Sequence, residues 1–318
     1  MWILLRHGVD MRFTLRQLAI FVATARHGSV SQAAEALSMS QSAASSALAE
    51  FERHFDLRLF DRVGKSVRVN EVGARLLPRA VELLDRAEDI EELLHGRRGF
   101  GALHIGATLT IGNYLATLIV AAFLQRHPES SIRLEVRNTA TIVHQVAGFE
   151  LDLGMIEGSC QHPELEAVPW MEDELVVFCA PTHPLARAGR ADPDALAGQP
   201  WILREIGSGT RQTFDRAVRV LATPPKIRLE LEHTEAIKRA VESGLGIGCI
   251  SRLAMREAFR RGSLVELATP ELDLRRHFHF LWHRQKFRTA GMQAFLALCR
   301  EMTAGARRSD EIALDAIR

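Results

Sequence analysis

The segment Ser29–Arg62 limits the folds open to this 318-residue chain more than any other, because it predicts two short helices joined by a tight turn. Either Ser29 or Ser31 can cap the first helix and Ser40 the second, since a serine hydroxyl accepts a hydrogen bond from a free N–H of the first turn. Apolar residues at helical spacing predict the buried sides. They are Val30, Ala33, Ala34 and Leu37 in the first helix, and Ala44, Leu48, Phe51 and Phe55 in the second.

Small polar side chains begin the other face of the second helix. Glutamine can pair bidentately with adenine, and serine can reach a base edge or a phosphate, so this face suits a DNA groove. Its N-terminal turn also offers backbone N–H groups to a phosphate. The alternative is an ordinary surface helix pair inside a larger helical domain. The predicted DNA-binding residues of this helix are Ser40, Gln41, Ser42, Ser45 and Ser46.

A short hairpin, or wing, is predicted at residues 63–68, with Gly64 in its turn. No Lys or Arg lies between Ser40 and Ala49, so phosphate contacts fall to other positions. Residues 12–70 hold eight Lys and Arg against five Asp and Glu, a balance of +3, whereas the whole chain has a net charge of +1. The basic excess therefore lies beside the predicted DNA-binding helix. The predicted phosphate contacts are Arg53, Arg62, Lys65 and Arg68.

One long helix is predicted after the wing, with Asn70 as its cap. Apolar residues recur along it at spacings of four and three, which is the heptad pattern of a helix that pairs with a second copy. Pro78 falls in the first two turns, where it is less disruptive than in mid-helix. A lone amphipathic helix packed on its own domain is the alternative. The predicted dimerisation residues are Leu76, Ala80, Leu83, Ala87, Ile90 and Leu94.

From Ala102 onward, short strands alternate with helices, which is typical of parallel α/β sheets. The length of this part suits two small lobes with a cleft between them. Strands are expected at 102–107, 132–137, 151–156, 174–180, 201–204, 228–232, 246–251, 264–267 and 278–282. Helices are expected at 111–125, 141–147, 211–221, 235–243 and 289–300.

Two loops of this part, residues 106–113 and 204–211, each follow a strand and open a helix, which is where α/β sheets bind ligands. Gly207 and Gly209 would let the backbone approach a ligand, and Arg211 would add a forked cation. Each loop alone is equally explained as a capped helix start, but two at corresponding places predict an anion site. Its predicted residues are Thr108, Thr110, Asn138, Thr139, Ser208, Gly209, Thr210 and Arg211.

Several classes of site and segment are not expected. The four cysteines are far apart, without a CxxC pair or a neighbouring His, so free buried thiols are expected and no metal site. No membrane-spanning stretch and no signal peptide are expected, and residues 1–10 are interpreted as a disordered extension. No GxSxG, HExxH or GxGxxG motif stands in the right context, so we do not expect an enzyme; an enzyme acting on an anionic substrate remains the rival class.

The stretch Leu15–Gly73 resembles the N-terminal domain of LysR-type transcriptional regulators. It departs from the family pattern at Ser46, where a basic residue is usual, and near Ala44, where a longer aliphatic residue is frequent. The resemblance is carried by Leu18, Phe21, Gly28, Ser29, Ala33, Ala34, Leu37, Ser40, Gln41, Ser42, Ser45, Leu57, and the runs 59–62 and 68–73.

A looser resemblance to the same family covers the remainder, through residues 151–154, 183–186 and 244–248. It implies a two-lobed α/β effector domain like a periplasmic binding protein, which the chain leaves near Asp173 and re-enters near Thr269. The implied fold is α/β with an N-terminal all-α winged helix-turn-helix and a long dimerisation linker helix. The implied ranges are 11–69 for the winged helix-turn-helix, 70–96 for the linker helix, 97–302 for the effector-binding domain and 303–318 for a tail. Within that domain, lobe 1 spans about 101–172 and 269–302, and lobe 2 about 173–268.

Residues 106–115 and 204–211 are most similar to the branch of the family that governs sulfur assimilation and carbon fixation. This resemblance implies a small anionic effector: a sulfite- or sulfate-like oxyanion, or a small carboxylate or phosphate metabolite. It also implies promoter DNA, a second copy of the chain in a dimer or tetramer, and RNA polymerase as partners. The expected location is the cytoplasm, at the nucleoid when DNA is bound. The alternative is a DNA-binding oligomer without a small-molecule effector.

Overall fold

The chain divides into two structural units in a computed structural model that describes residues 12–63, 66–94 and 100–313. The smaller unit contains residues 1–96 together with 285–289, and the larger contains 97–284 and 290–318. The predicted extension at residues 1–10 lies outside the described residues. So do residues 95–99, at the predicted end of the linker, and residues 314–318 of the predicted tail.

Three helices begin the smaller unit, and each is capped by a hydroxyl side chain. Thr14 and Gln17 form a capping box, in which the Thr14 Oγ1 accepts from the Gln17 N–H at 3.1 Å and the Gln17 Oε1 accepts from the Thr14 N–H at 2.9 Å. Ser29, rather than Ser31, caps the second helix, and the predicted cap Ser40 accepts from the Ala43 N–H at 3.3 Å. The helices are α1 (Leu15–His27), α2 (Val30–Ala36) and α3 (Gln41–His54).

The predicted buried residues of α2 and α3 are buried, except that Val30 is half-buried and Leu37 and Phe55 are exposed. Leu37 is 37% exposed and Phe55 is 44% exposed. Each is the C-cap residue of its helix, so it lies beyond the last turn that keeps the apolar stripe on one face. The Phe55 ring lies instead beside Phe13 and Phe51, with centroids 6.4 and 5.8 Å away.

The predicted wing is present as a two-stranded antiparallel hairpin, β1 (Phe60–Val63) and β2 (Ser66–Val69). Phe60 anchors it to the helices, since its ring centroid is 5.5 Å from that of Phe21. The turn residues Gly64 and Lys65 lie outside the described residues.

The long helix α4 spans Glu71–Leu94, and the predicted cap Asn70 accepts from the Gly73 N–H at 2.9 Å. Along the predicted seam, Ala80 is buried, whereas Leu76 and Ala87 are half-buried. The seam is exposed farther along: Leu83 at 39%, Ile90 at 57% and Leu94 at 79%. Its pairing with a second copy remains a prediction.

The larger unit is built on a mixed sheet, so the expectation of parallel sheets is wrong in part. The strands are β3 (Ala102–Thr108), β4 (Ser131–Arg137), β5 (Leu153–Glu157), β6 (Leu165–Cys179), β7 (Pro200–Arg204), β8 (Lys226–Leu231), β9 (Ile247–Ser251), β10 (Val265–Leu267) and β11 (Arg275–His283).

Parallel strands form each lobe's interior: β3 pairs with β4 and β5, and β7 pairs with β8 and β9. Antiparallel strands β6, β10 and β11 join them because the chain crosses between lobes through β6 and returns through β11. The order is β4-β3-β5-β11-β6-β9-β7-β8, with β10 paired to β6.

Strand β6 belongs to both lobes and begins well before the expected residue 174. Its residues up to Glu174 pair with β11, and those from Leu175 to Phe178 pair with β9. The chain therefore passes from one lobe to the other near Asp173 and Glu174. Pro169 hid the first half of the strand from sequence analysis because proline has no N–H for the ladder; a register irregularity lies opposite it, at Phe278 and His279.

Helices cover both faces of each lobe, and two of them, α8 (Pro193–Ala197) and α11 (Arg252–Arg261), were not expected from the sequence. α11 starts directly after β9 without turn residues, and Ser251, the last residue of the strand, caps it. The helices are α5 (Leu109–Ile111), continued by a π-helical turn (Gly112–Ala116) into α6 (Thr117–Arg126), then α7 (Thr139–Ala147), α8 (Pro193–Ala197), α9 (Gly209–Ala217), α10 (Thr234–Glu242), α11 (Arg252–Arg261) and α12 (Ala290–Met302).

Two expectations about chain segments need correction. Leu109–Arg126 is long and apolar enough to cross a membrane by length and composition. Its inner face, including Ile119 and Phe123, is buried in the core of lobe 1, as in a core helix of a globular domain. The folded domain also continues past residue 302, where we expected a tail, since Ile312 joins the same core and its carbonyl accepts from Arg256 at 2.7 Å.

The four cysteines are free thiols, as predicted, and three of them are buried. Burial raises the pKa of Cys179 to about 11 and that of Cys249 to about 12. Cys160 is only partly buried. Burial raises the pKa of Cys299 as well. Because the thiolate is the reactive form, the three buried thiols are chemically quiet at neutral pH.

Candidate DNA-binding surface and inter-lobe site

The start of α3 presents its polar side chains to solvent. Gln41, Ser42, Ser45 and Ser46 are all exposed. Ser40 differs from them, because its Oγ caps the helix and lies 3.2 Å from the Ser42 Oγ. The fold therefore presents one polar helical face, with Ser40 at its start holding the helix terminus.

The predicted basic contacts are spread along α3 and the wing. Arg53 is exposed in the last turn of α3. Arg62 and Arg68 are exposed on the hairpin, but Arg68 stands opposite Asp61 and Arg62 opposite Val67, so the two arginines lie on opposite faces. Lys65 lies outside the described residues.

The predicted ligand loop 204–211 meets the start of α7 in the larger unit. The Gly209 N–H at the start of α9 donates to the Thr139 Oγ1 at 3.0 Å, and the Ala140 N–H donates to the Gly207 carbonyl at 3.1 Å. A Cβ atom at Gly209 would lie 2.1 Å from the Glu157 carbonyl oxygen, so only glycine allows this approach. The contacts join lobe 1 to lobe 2 at the carboxyl ends of their parallel strands.

A residue that the sequence analysis did not select, Glu157, occupies the middle of this site. Its Oε1 accepts from the Thr110 N–H at 2.7 Å. Its Oε2 accepts from the Thr210 Oγ1 at 3.1 Å and from the Arg276 Nη1 at 2.9 Å. The available signal was its position, directly after the apolar run of β5 and before Gly158. The carboxylate thus links both loops and the return strand β11.

Arg276 is the cation of the site, and it too was missed. Its Nε donates to the Asp173 Oδ2 at 2.6 Å, and its Nη1 also contacts the Thr210 Oγ1 at 3.0 Å. Asp173 further accepts from Ser251 at 2.7 Å and from Ser309, near the C-terminus. Arg276, Asp173 and Glu157 are all buried, so their charges act at low effective dielectric.

The acidity of Glu157 follows from this setting. Burial alone would raise its pKa, but the positive charges of Arg276 and Arg204, with the hydrogen bonds from Thr110, outweigh burial and lower the pKa to about 2. Glu157 is therefore ionised at neutral pH. Arg276 forms ion pairs with both Glu157 and Asp173. Two carboxylates and one guanidinium give this group a net charge of −1.

Arg211 is paired with two carboxylates of its own lobe. Its Nε donates to Asp215 at 2.8 Å, and its Nη1 donates to Glu230 at 2.7 Å and to the Arg204 carbonyl at 3.2 Å. Asp215 lies one helical turn along α9, where an i,i+4 ion pair forms readily. The Nε and Nη1 of Arg211 therefore have partners within the chain, and its role as an anion ligand remains a prediction.

The remaining predicted residues shape the loops. Thr108 is buried, and its Oγ1 lies 3.4 Å from the Met155 carbonyl. The Asn138 Oδ1 caps α7 by accepting from the Thr141 N–H at 3.0 Å. The Ser208 Oγ caps α9 by accepting from the Arg211 N–H at 3.1 Å, and it donates to the Glu205 carbonyl at 2.9 Å. Thr110, Thr139, Gly209 and Thr210 are the predicted residues that the structure brings together at the contact between the lobes.

Comparison with known protein families covers both units. Residues 15–74 match the family described as "Bacterial regulatory helix-turn-helix protein, lysR family". Residues 96–304 match the family described as "LysR substrate binding domain". The two matches account for the helical unit with its wing and for the two-lobed unit.

Similar proteins match over nearly their whole length. The HTH-type transcriptional regulator YeiE of Escherichia coli K12 is 44% identical over 291 residues, which are 91% of this chain and 98% of that protein. The RuBisCO operon transcriptional regulator of Allochromatium vinosum is 33% identical over 287 residues, 90% of this chain and 95% of that one.

A solved structure is also similar to the larger unit. The Synechocystis PCC6803 CcmR regulatory domain, in complex with 2-PG, matches with a TM-score of 0.61 and 28% identity. The match covers 65% of this chain and 99% of that domain.

Proposed function

This chain belongs to the LysR family of DNA-binding transcriptional regulators, and we propose that a small anion bound between its two lobes modulates its binding to promoter DNA. The observation that carries the proposal is the meeting of Thr110, Thr139, Thr210 and Arg276 where the lobes touch. These residues combine hydroxyl and cationic donors in a buried place. Such donors are suited to an oxyanion or a carboxylate.

The comparisons support an anion as the ligand class. The CcmR regulatory domain, at 28% identity, is in complex with 2-PG, a small anion. The candidates for this chain are a sulfite- or sulfate-like oxyanion and a small carboxylate or phosphate metabolite. We assign no catalytic residue, because the donors of the site suit ligand binding and regulation.

For DNA, we propose that α3 lies in the major groove, with Gln41, Ser42, Ser45 and Ser46 towards base edges and phosphates. Arg53, Arg62, Lys65 and Arg68 would contact the phosphate backbone, and Ser40 would hold the helix terminus. Because α3 has no Lys or Arg before Arg53, each copy would bind weakly alone. Base contacts would then become effective only when two copies bind together.

The assembly that we propose pairs two copies through the exposed seam of α4, Leu83, Ile90 and Leu94. The family resemblance extends this to a tetramer on interrupted, pseudo-palindromic promoter sites in the cytoplasm, with RNA polymerase as a further partner. The anion would shift the population of lobe arrangements and so the spacing of the paired DNA-binding helices.

One observation favours a second candidate, a DNA-binding oligomer without a small-molecule effector. Glu157 already accepts from Thr110, Thr210 and Arg276, so the chain's own carboxylate satisfies these donors. Under this alternative, the lobes would serve assembly only, and anions would leave promoter binding unchanged.

A screen of small anions separates the two candidates. Fluorescence anisotropy with promoter DNA is measured for the wild type, for Thr210→Val in the site, and for Thr213→Val. Thr213 is a matched control because it is also buried on α9, but its hydroxyl donates within the helix, to the Gly209 carbonyl at 2.9 Å. We expect an anion to change promoter affinity in the wild type and in Thr213→Val, and less in Thr210→Val. An unchanged affinity with every anion would favour the alternative.

A further inference from the structure

We propose that Tyr114 is a latch between the two lobes, whose hydrogen bond to Glu235 holds the lobe arrangement described here and opens when the lobes rotate apart. The phenol belongs to the π-helical turn of lobe 1, and Glu235 belongs to the first turn of α10 in lobe 2. The latch lies outside the contact that Gly209 and Glu157 form, and it needs no bound anion. The inference therefore goes beyond the proposed function.

The Tyr114 side chain joins the lobes directly. It packs against the hydrophobic core of lobe 1 and also against a core cluster of lobe 2. Its Oη donates to the Glu235 Oε1 at 2.6 Å, which links positions 121 residues apart in the chain. A hydrogen bond to a charged acceptor is stronger than one between neutral groups, so this contact can favour one arrangement of the lobes over others.

A π-helical turn presents Tyr114 to the other lobe. Within this turn, the Gly112 carbonyl accepts from the Thr117 N–H, five residues on, and from the Thr117 Oγ1 at 2.7 Å. A Cβ atom at Gly112 would lie 2.7 Å from the Val136 side chain, so glycine lets the turn pack closely on β4. Single π-helical turns are rare and are frequent at functional positions. The position of this one, at a contact between lobes, fits a role in lobe movement.

The donor and the acceptor are both in the protonation state that the latch requires. The Lys238 Nζ lies 2.5 Å from the Glu235 Oε1. Burial alone would raise the pKa of Glu235, but hydrogen bonds from Lys238 and Tyr114, with the charge of Lys238, lower it. Burial and the hydrogen bond to Glu235 raise the pKa of Tyr114. At neutral pH an intact phenol therefore donates to an ionised carboxylate.

The latch can open without leaving a buried charge unpaired. Lys238 is only 9% exposed, but its partners, Glu235 and the Ala254 carbonyl at 3.2 Å, both belong to lobe 2 and stay with it. The Glu235 side chain is 66% exposed, so water can replace the phenol at its oxygen. A cavity of about 760 Å³, lined by residues of both lobes, lies beside Tyr114 and gives the phenol room to leave.

Amide hydrogen exchange at the other contact between the lobes tests whether the latch controls their opening. The Gly209 N–H donates to the Thr139 Oγ1, and the Ala140 N–H donates to the Gly207 carbonyl, each from one lobe to the other. These N–H groups exchange faster when the lobes separate more often. Mass spectrometry follows exchange in residues 138–142 and 207–211 of the full chain, without an anionic ligand. The variants are Tyr114→Phe, Glu235→Ala, the double variant and Ser263→Ala.

Ser263→Ala is the matched control. The Ser263 Oγ donates to the Glu242 Oε1 at 2.8 Å, so this variant also removes a hydroxyl donor to a carboxylate of α10, but within lobe 2. We expect Tyr114→Phe to raise the exchange rate of both segments at least about fivefold. This is a modest part of what a hydrogen bond to a charged group contributes, because Glu235 is largely exposed. Ser263→Ala should leave both rates unchanged.

Tyr114→Phe and Glu235→Ala remove the two halves of one bond, so the double variant should exchange no faster than Glu235→Ala alone. Additive increases would overturn the latch. So would faster exchange confined to residues 112–117 and 234–242, because loss of a merely local bond would give that result. If the expected rates are found and no anion of the promoter-binding screen has an effect, the latch stands and the proposed function fails.

Discussion

Helices α3 and α9 begin in the same way and end up in opposite environments. Each starts after a serine cap, Ser40 or Ser208, whose Oγ accepts from a backbone N–H three residues on, at 3.3 and 3.1 Å. The residues that follow are exposed on α3 but buried on α9. On α3 the polar side chains face solvent, whereas on α9 Thr210 and Arg211 are already bonded within the chain. A shared local motif therefore does not set the availability of its side chains; the tertiary surroundings do.

The largest expected effect comes from removing the cation that α9 faces. Arg276→Met should lower the free energy of unfolding of the larger unit by about 3–5 kcal/mol, because Glu157 and Asp173 would stay buried without their cation. Arg211→Met is the control on α9 itself: its partners Asp215 and Glu230 are exposed, so the loss should stay below about 1 kcal/mol. Urea unfolding followed by tryptophan fluorescence measures both, and similar losses would contradict the difference between the two arginines.

The second-largest effect tests whether DNA binding by the exposed start of α3 requires a second copy of the chain. Leu83→Asp places a charge in the exposed seam of α4, so specific DNA affinity should fall at least about 100-fold, or about 2.8 kcal/mol, although α3 is untouched. Arg75→Gln, a polar change on the same helix, serves as the control. Anisotropy gives the affinity and sedimentation the oligomeric state. A monomeric variant with wild-type affinity would contradict pairing through the seam.

Acid should lower the stability of the larger unit through Glu157, the carboxylate that Thr210 of α9 contacts. Because folding lowers the pKa of this carboxyl from 4.5 to about 2, its contribution to stability is fully present above pH 4.5 and is lost as the pH falls towards 2. The melting temperature of the wild type should therefore fall more steeply over this range than that of Glu157→Gln, which cannot titrate there. Calorimetry at several pH values measures both slopes, and parallel curves would be inconsistent with an ionised Glu157.

The smallest effect compares the two caps directly. Ser208→Ala should cost about 1 kcal/mol and Ser40→Ala about 0.5 kcal/mol, within the usual range for serine caps. The difference is expected because Ser208 is buried and its Oγ also donates to the Glu205 carbonyl, whereas Ser40 is exposed. Urea unfolding of each variant provides the comparison, and the reverse order would show that burial does not strengthen the cap.

Local features were readable from the sequence, and the centre of the site was not. The helix caps Ser40 and Asn70 each bind a backbone N–H three residues on. Residue type and spacing therefore predict these caps, as they predict the glycine-containing loop around Gly209. The bonds of Arg276 join positions 66, 103 and 119 residues apart in the chain, and no spacing rule connects such positions. Arg211 is different, because its partner Asp215 lies four residues away, where helical spacing predicts an ion pair.

Strand β6 restricts how the two lobes can move. It is hydrogen-bonded to β11 in lobe 1 and to both β9 and β10 in lobe 2. Sliding by one residue along any of these partners would turn every side chain of the strand to the opposite face, which the buried faces of the sheet forbid. The pairing therefore opposes shear of the lobes along the strand, so the lobe movement that we propose for an effector would be a rotation.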